Sequence, residues 1–179
     1  MQHPQFDDLT ANPVSALSTV GVYHGLNYSE FNLAKLDQTT GAAVEPSKPN
    51  VIAFELENGL DAGQVGLNPV ASVTTASGTK YFDLLSFFFS CSLDQAQSAV
   101  TTNEGCDISV TGYNAAGKMV GEGSFNYAPT SLVNPPFVKA VLPSTFVGLV
   151  NVTFAVSTAT VATSLTAVGL DNITHINYS

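Results

Sequence analysis

Short runs of β-branched and aromatic residues, cut every few positions by Gly, Pro, Asn or Ser, fill this chain from end to end. Helical periodicity is weak throughout, so few folds remain open. "STVGVYHGLNYSEFNLAKL" reads as a strand, a turn at His24-Gly25 and a second strand. "NVIAFEL" stops at Asn58-Gly59, and "NPVASVTTAS" stops at Gly78. "YFDLLSFFFSCSL" alternates at first and then becomes wholly aromatic at Phe87, Phe88 and Phe89, which predicts burial on both faces. "CDISVTGYNAAGKMVGEGSFNY" predicts a hairpin turning at "NAAGK". "SLVNPPFVKAVLP", with its three prolines, predicts an irregular connection. Two strands close the chain, "STFVGLVNVTFAVST" and "SLTAVGLDNITHINY"; Phe146, Gly148, Val150, Val152 and Phe154 share a face of the first. "SLDQAQSAV" is the one stretch that could form a turn or two of helix.

About nine or ten strands with no αβ alternation predict an all-β fold: an antiparallel β-sandwich of jelly-roll type with little helix. At 179 residues, with no internal repeat and no dividing linker, residues 1–179 read as a single β-sandwich domain. Hydrophobic residues make up 45% of the chain, enough for a real core, and no apolar run nears the roughly eighteen residues of a membrane helix.

Charge narrows the partners. Fourteen acids face five basic residues, all Lys, for a formal charge of -9. Such a surface repels phosphate backbones and anionic lipid, which argues against nucleic acid and membrane partners. Acceptors of the form Asn-x-Ser/Thr stand at Asn27, Asn151, Asn172 and Asn177. Cys91 and Cys106 can pair as a disulfide or stay as free thiols; in an exported chain the bridge is favoured. Met1 reads as an expression start placed before a mature chain whose leader was removed. Together these features predict a secreted glycoprotein of the extracellular space or cell wall.

Candidate chemistry is sparse. His3, His24 and His175 are too scattered to suggest a transition-metal site. Glu55 and Glu57 could pair with Asp83 or Glu122 across a cleft, as a glycan-active enzyme needs, but same-face acids are equally what a solvated strand shows. No catalytic residue is assigned. Sugar binding needs aromatic rings for the C–H face of a pyranose and amides for its hydroxyls. The candidates are Tyr23, Asn27, Tyr28, Tyr113, Asn114, Asn126 and Tyr127, of which the pairs Asn27-Tyr28, Tyr113-Asn114 and Asn126-Tyr127 fall at expected strand ends or turns. Asp171-Asn172 is odd inside a strand, since both residues compete for backbone hydrogen bonds. If the first and last strands are neighbours, Asp7, Asp8, Asp171 and Asn172 could together offer oxygens to Ca²⁺. Alternatively, these residues cap turns, face water or meet a hydrogen-bonding partner.

"FDDL", "YHGLNYSEF", "YFDLLSF" and "LDNI", in that order from Phe6 to Ile173, resemble segments of a group of exported fungal and bacterial proteins with galactose-binding-like jelly rolls. That architecture is shared by many carbohydrate-binding modules. The resemblance implies a structural Ca²⁺ held by Asp7, Asp8 and Asp171. It also implies non-catalytic binding of a cell-wall or matrix polysaccharide or glycan. Tyr28 stands where such proteins often carry Trp, and this chain has no Trp. Two other functions stay open on the residues: a secreted effector, elicitor or structural wall protein that binds a host or wall protein, and a glycan-active enzyme.

Overall fold

The computed structural model describes residues 1–10, 18–55, 68–93 and 102–179. Ten strands run in the order β1 (Ser18–Tyr23), β2 (Leu26–Ala34), β3 (Val51–Phe54), β4 (Val70–Thr75), β5 (Tyr81–Leu93), β6 (Cys106–Tyr113), β7 (Met119–Tyr127), β8 (Val138–Val141), β9 (Asn151–Ala159) and β10 (Thr166–Tyr178). Two 3₁₀ turns, Gln38–Thr40 and Thr163–Leu165, are the only helical pieces among the described residues. Every strand pair is antiparallel. The fold is the expected β-sandwich of jelly-roll type.

The hydrogen-bonded path runs β7, β6, β9, β4, β2, β3, β10, β5, β8, with β1 beside β2. It doubles over at β2, whose first half, Leu26 to Ser29, pairs with β4 and whose second half, Asn32 to Ala34, pairs with β3. Glu30 sits between the halves with φ +62°, a left-handed conformation that bends the strand from one sheet to the other. The first layer is therefore β7-β6-β9-β4-β2 and the second β2-β3-β10-β5-β8.

Aromatic rings fill the space between them. Phe87 of β5 meets Phe154 of β9 at 5.4 Å, and Phe31 of β2 meets the same ring at 5.9 Å. The Cys91–Cys106 disulfide ties β5 of the second layer to β6 of the first. Strict alternation of buried and half-buried residues in β6 aims Ile108 and Val110 inward and Ser109 and Thr111 outward. Burial of each large apolar side chain contributes roughly 1.5–3 kcal/mol.

The triple Phe of β5 is buried on its core face and half-buried on the other. Phe87 and Phe89 join the main core, while Phe88 packs outward on a smaller cluster of Ala43, Val51 and Phe137.

Two expectations need correction. The proline-rich connection contains β8, which pairs with Ser86 to Phe89 as an edge strand; Pro135, Pro136 and Pro143 lie outside its ladder, where a missing N–H costs nothing. The penultimate strand starts only at Asn151. Residues 143–148 turn instead, with Gly148 at φ +63°, and drop the buried Phe146 onto Gly112 and Gly121. A Cβ on Gly121 would stand 2.8 Å from that ring, so a glycine is required by close approach. The Asn58-Gly59 turn and most of the "SLDQAQSAV" segment lie outside the described residues.

Candidate functional site

Cross-strand register aligns one row of side chains over the outer face of the first layer: Tyr113 beside Asn151, Asn151 beside Thr74, and Thr74 beside Asn27. Two residues further along lies a row of hydroxyls, Thr111, Thr153, Ser72 and Ser29, with Glu122 at its β7 end. The face is polar and almost uncharged at this end. Tyr113, Asn114 and Asn27 are thus brought into one region. Asn126 occupies the opposite end of the same face, where its Nδ2 donates to Asp107 at 2.9 Å. That carboxylate also accepts from the Thr158 hydroxyl, and these bonds hold its pKa below the ordinary range.

The β6–β7 turn shapes the ground around Tyr113. Asn114 Oδ1 accepts the N–H groups of Ala116 and Lys118 at 3.0 and 3.1 Å, an Asx turn that fixes the loop. A cavity of about 440 Å³ lies on one side of it, lined by Tyr113, Asn151 and Thr153. One of about 310 Å³ lies on the other, lined by Lys80, Tyr81 and Gly148. Both share Asn114, Ala115 and Val150, so together they make a trough across the end of the sandwich.

Its far wall is a stacked tyrosine pair. The Tyr81 ring stacks on Tyr178 at 4.7 Å and 18°, and the Tyr178 hydroxyl donates to Asp83 at 2.8 Å. Asp83 also accepts the Gly148 N–H at 2.8 Å, and its bond to Tyr178 raises that phenol's pKa. With its two oxygens so engaged, Asp83 serves the tyrosine pair rather than an acid pair; Glu57 lies outside the described residues. Inside the trough, Asn151 Oδ1 is buried and has no partner among the described residues. Tyr81 and Tyr178 were absent from the candidates read from sequence, because only the β5–β10 register places them together.

Two candidate tyrosines are not available to a ligand. Tyr28 is 2% exposed, edge-on to Phe6 at 5.4 Å, and Tyr127 is fully buried against Phe89 at 6.0 Å. Burial pushes the Tyr127 hydroxyl up to about 12 and the Tyr28 hydroxyl higher still. Tyr23 is half-buried on Phe6, and its hydroxyl donates to Asp8.

The terminal acids separate in the same way. Gln2 pairs with His175, so the start of the chain does run beside β10. Asp7 and Asp171 reach a common loop: Asp7 accepts the Asn50 N–H at 3.0 Å, and Asp171 accepts the Ser47 N–H and hydroxyl, both at 2.9 Å. Asp171 is fully buried, which raises its pKa to about 6 against these hydrogen bonds, with Asp7 adding to the rise. The hydrogen-bonding partner that explains an Asp within a strand is therefore Ser47. Asp8 is bonded to Tyr23 instead. Asn172 adopts φ +49° and gives its N–H to Asp171, which bends β10 there. Among the described residues, no three His, Cys, Asp or Glu side chains are grouped to hold a metal.

The three histidines, far apart in sequence, lie near one end of β10: His3 bonds Thr174, His24 bonds Gln2, and His175 is fully buried. Burial holds His175 down to about 4, and neither ring nitrogen has a partner among the described residues.

No family model matches the chain, and no curated protein matches it. Its structure is similar to that of a DUF4465 family protein from Bacteroides caccae, with a TM-score of 0.58 and 15% identity over 99% of this chain and 94% of that one. The likeness is one of fold. The K1 adhesin domain of Lys-gingipain from Porphyromonas gingivalis aligns at TM-score 0.48 and 12% identity, covering 99% of this chain and 98% of that domain. A carbohydrate-binding module specific for non-crystalline cellulose aligns at 0.47 and 12%, covering 97% of this chain and 96% of that one. At those scores neither bears on what this chain binds.

Proposed function

We propose that the protein is a secreted, non-catalytic binder of a neutral polysaccharide or glycan at a cell wall or matrix, and that the trough between Tyr113 and Tyr81 holds one or two sugar rings. The observation that carries this is the unpaired Asn151 oxygen on the Tyr113 side of the trough, which adjoins a second side lined by Tyr81. A sugar hydroxyl would satisfy that oxygen, and each ring would cover a C–H face. The excess of negative charge favours neutral sugars over uronic acids. The disulfide, and the sequon at Asn27 on the outer face, support an exported chain.

Retention on a panel of insoluble polysaccharides tests the site. Selective binding to one polymer should weaken roughly tenfold in Tyr113→Ala and in Tyr81→Ala, with melting unchanged. Absence of retention on every polymer, or full retention by both variants, would overturn it.

Ca²⁺ belongs in the proposal as a structural ion. Asp7, Asp171 and the buried Asn50 Oδ1, which has no partner among the described residues, are hard oxygens at one loop, and they suit Ca²⁺ chemically. Bound there, the ion would offset two neighbouring carboxylates and tie the chain's start to β10. At about a hundredfold excess over Kd it should add about 2.7 kcal/mol, raising Tm by roughly 5–10 °C at neutral pH. Asp171→Asn should abolish that rise. Identical melting in Ca²⁺ and EDTA would remove calcium from the proposal.

A further inference from the structure

A second recess lies on the other side of the sandwich, over the outer face of the second layer. Register sets Ala53, Gly169 and Ser90 side by side there, with Ala167 and Ser92 forming the next row. These small residues floor a cleft of about 200 Å³ between Leu36 and Leu93. At its centre a Cβ on Gly169 would stand 3.2 Å from the Phe137 ring, a tight contact to which the ring would have to yield. Among the described residues, no charged side chain lines the cleft.

Asn103 closes one wall and is only 1% exposed. Its Nδ2 donates to the carbonyls of Gly41 at 2.8 Å and Leu132 at 3.0 Å, and two acceptors on one atom settle which way the amide is turned. The other atom, Oδ1, is buried and lacks a partner among the described residues. Leaving a buried acceptor of this kind unpaired is unfavourable, and a ligand donor would satisfy it.

We infer that this cleft takes the acetamido group of an N-acetylated amino sugar. Three features of the wall match three atoms of that group. Its N–H can donate to Asn103 Oδ1, its methyl fits the floor of Ala53, Ala167 and Gly169, and its carbonyl can accept from the Ser90 or Ser92 hydroxyl. A plain hexose has the donor but no methyl to fill the apolar floor. An anion would meet no cation among the described residues. The site lies on the layer opposite the Tyr113 trough and does not depend on it.

Chemical-shift titration of the whole protein with N-acetylglucosamine, against methyl glucoside as control, tests the assignment. Saturable shifts are expected at the amides of Ser90, Ser92, Asn103 and Ala167, with the glucoside binding at least about tenfold more weakly. Ala53→Leu, which fills the cleft from its floor, should abolish the shifts, and Tyr113→Ala should leave them unchanged. Ala167→Val serves the same purpose if Ala53→Leu melts early. Equal binding of the two sugars, absence of saturable shifts, or undiminished affinity in a well-folded cleft-filling variant would each overturn it.

Discussion

In EDTA, melting curves of Asp171→Asn and His175→Phe should shift in opposite directions as the solution is acidified from about pH 6.5 to 4, while the parent changes little. His175 sits near 4 in the folded chain against an ordinary 6.5, because burial disfavours its charged form. Between those values the unfolded chain holds a proton that the folded chain refuses, so acid removes stability. The full span corresponds to roughly 3 kcal/mol. Asp171 has the reverse sign. Burial lifts it from 3.8 to about 6, so the folded chain takes a proton that the unfolded chain does not, and acid adds stability over that window. That span is also roughly 3 kcal/mol. Asp171→Asn leaves the histidine alone and should lose stability in acid; His175→Phe leaves the carboxylate alone and should gain it. Parallel slopes in the two variants would show that one of the groups is not held as described. His24 and the amino terminus lie near His175 and reinforce its neutral form, as Asp7 does for Asp171.

Removing the bridge with Cys91→Ala/Cys106→Ala should cost about 3 kcal/mol, the closure entropy of a loop of about 15 residues. For a domain of this size that corresponds to a fall in Tm of roughly 10 °C. The urea midpoint should drop as well. Because the bond joins β5 to β6, it restrains one layer against the other as well as closing a loop. Both sulfurs are nearly inaccessible, so dithiothreitol should act only as the chain opens, and reduction should accelerate with urea. A loss below about 1 kcal/mol would mean that the aromatic packing alone fixes the layers.

Alternation made the strands legible, because a half-buried sheet must repeat every two residues. The same rule could have sorted the tyrosines. Tyr28 shares parity with the buried Leu26, and Tyr127 with Phe125, whereas Tyr113 follows Ser109 and Thr111 on the wet face. Placing these residues at strand ends hid that parity. What no local pattern carries is long-range pairing. Ser47 meets Asp171 across 124 positions, and Tyr81 finds Tyr178 only through the β5–β10 register. The short edge strand β8 escaped because its flanking prolines signal a break without showing that four residues between them still pair.

The position of β10 bears on how such a chain comes to be folded. Its thirteen residues sit between β3 and β5 and hold the amino-terminal Gln2 as well. A growing chain therefore makes both flanking strands well before the strand that joins them. Half of the sandwich keeps unpaired edges until β10 has been made. Closure of this layer should wait for that strand, and it is the slow, non-local pairing expected of β topologies. Deleting residues 170–179 would take out the centre of a sheet.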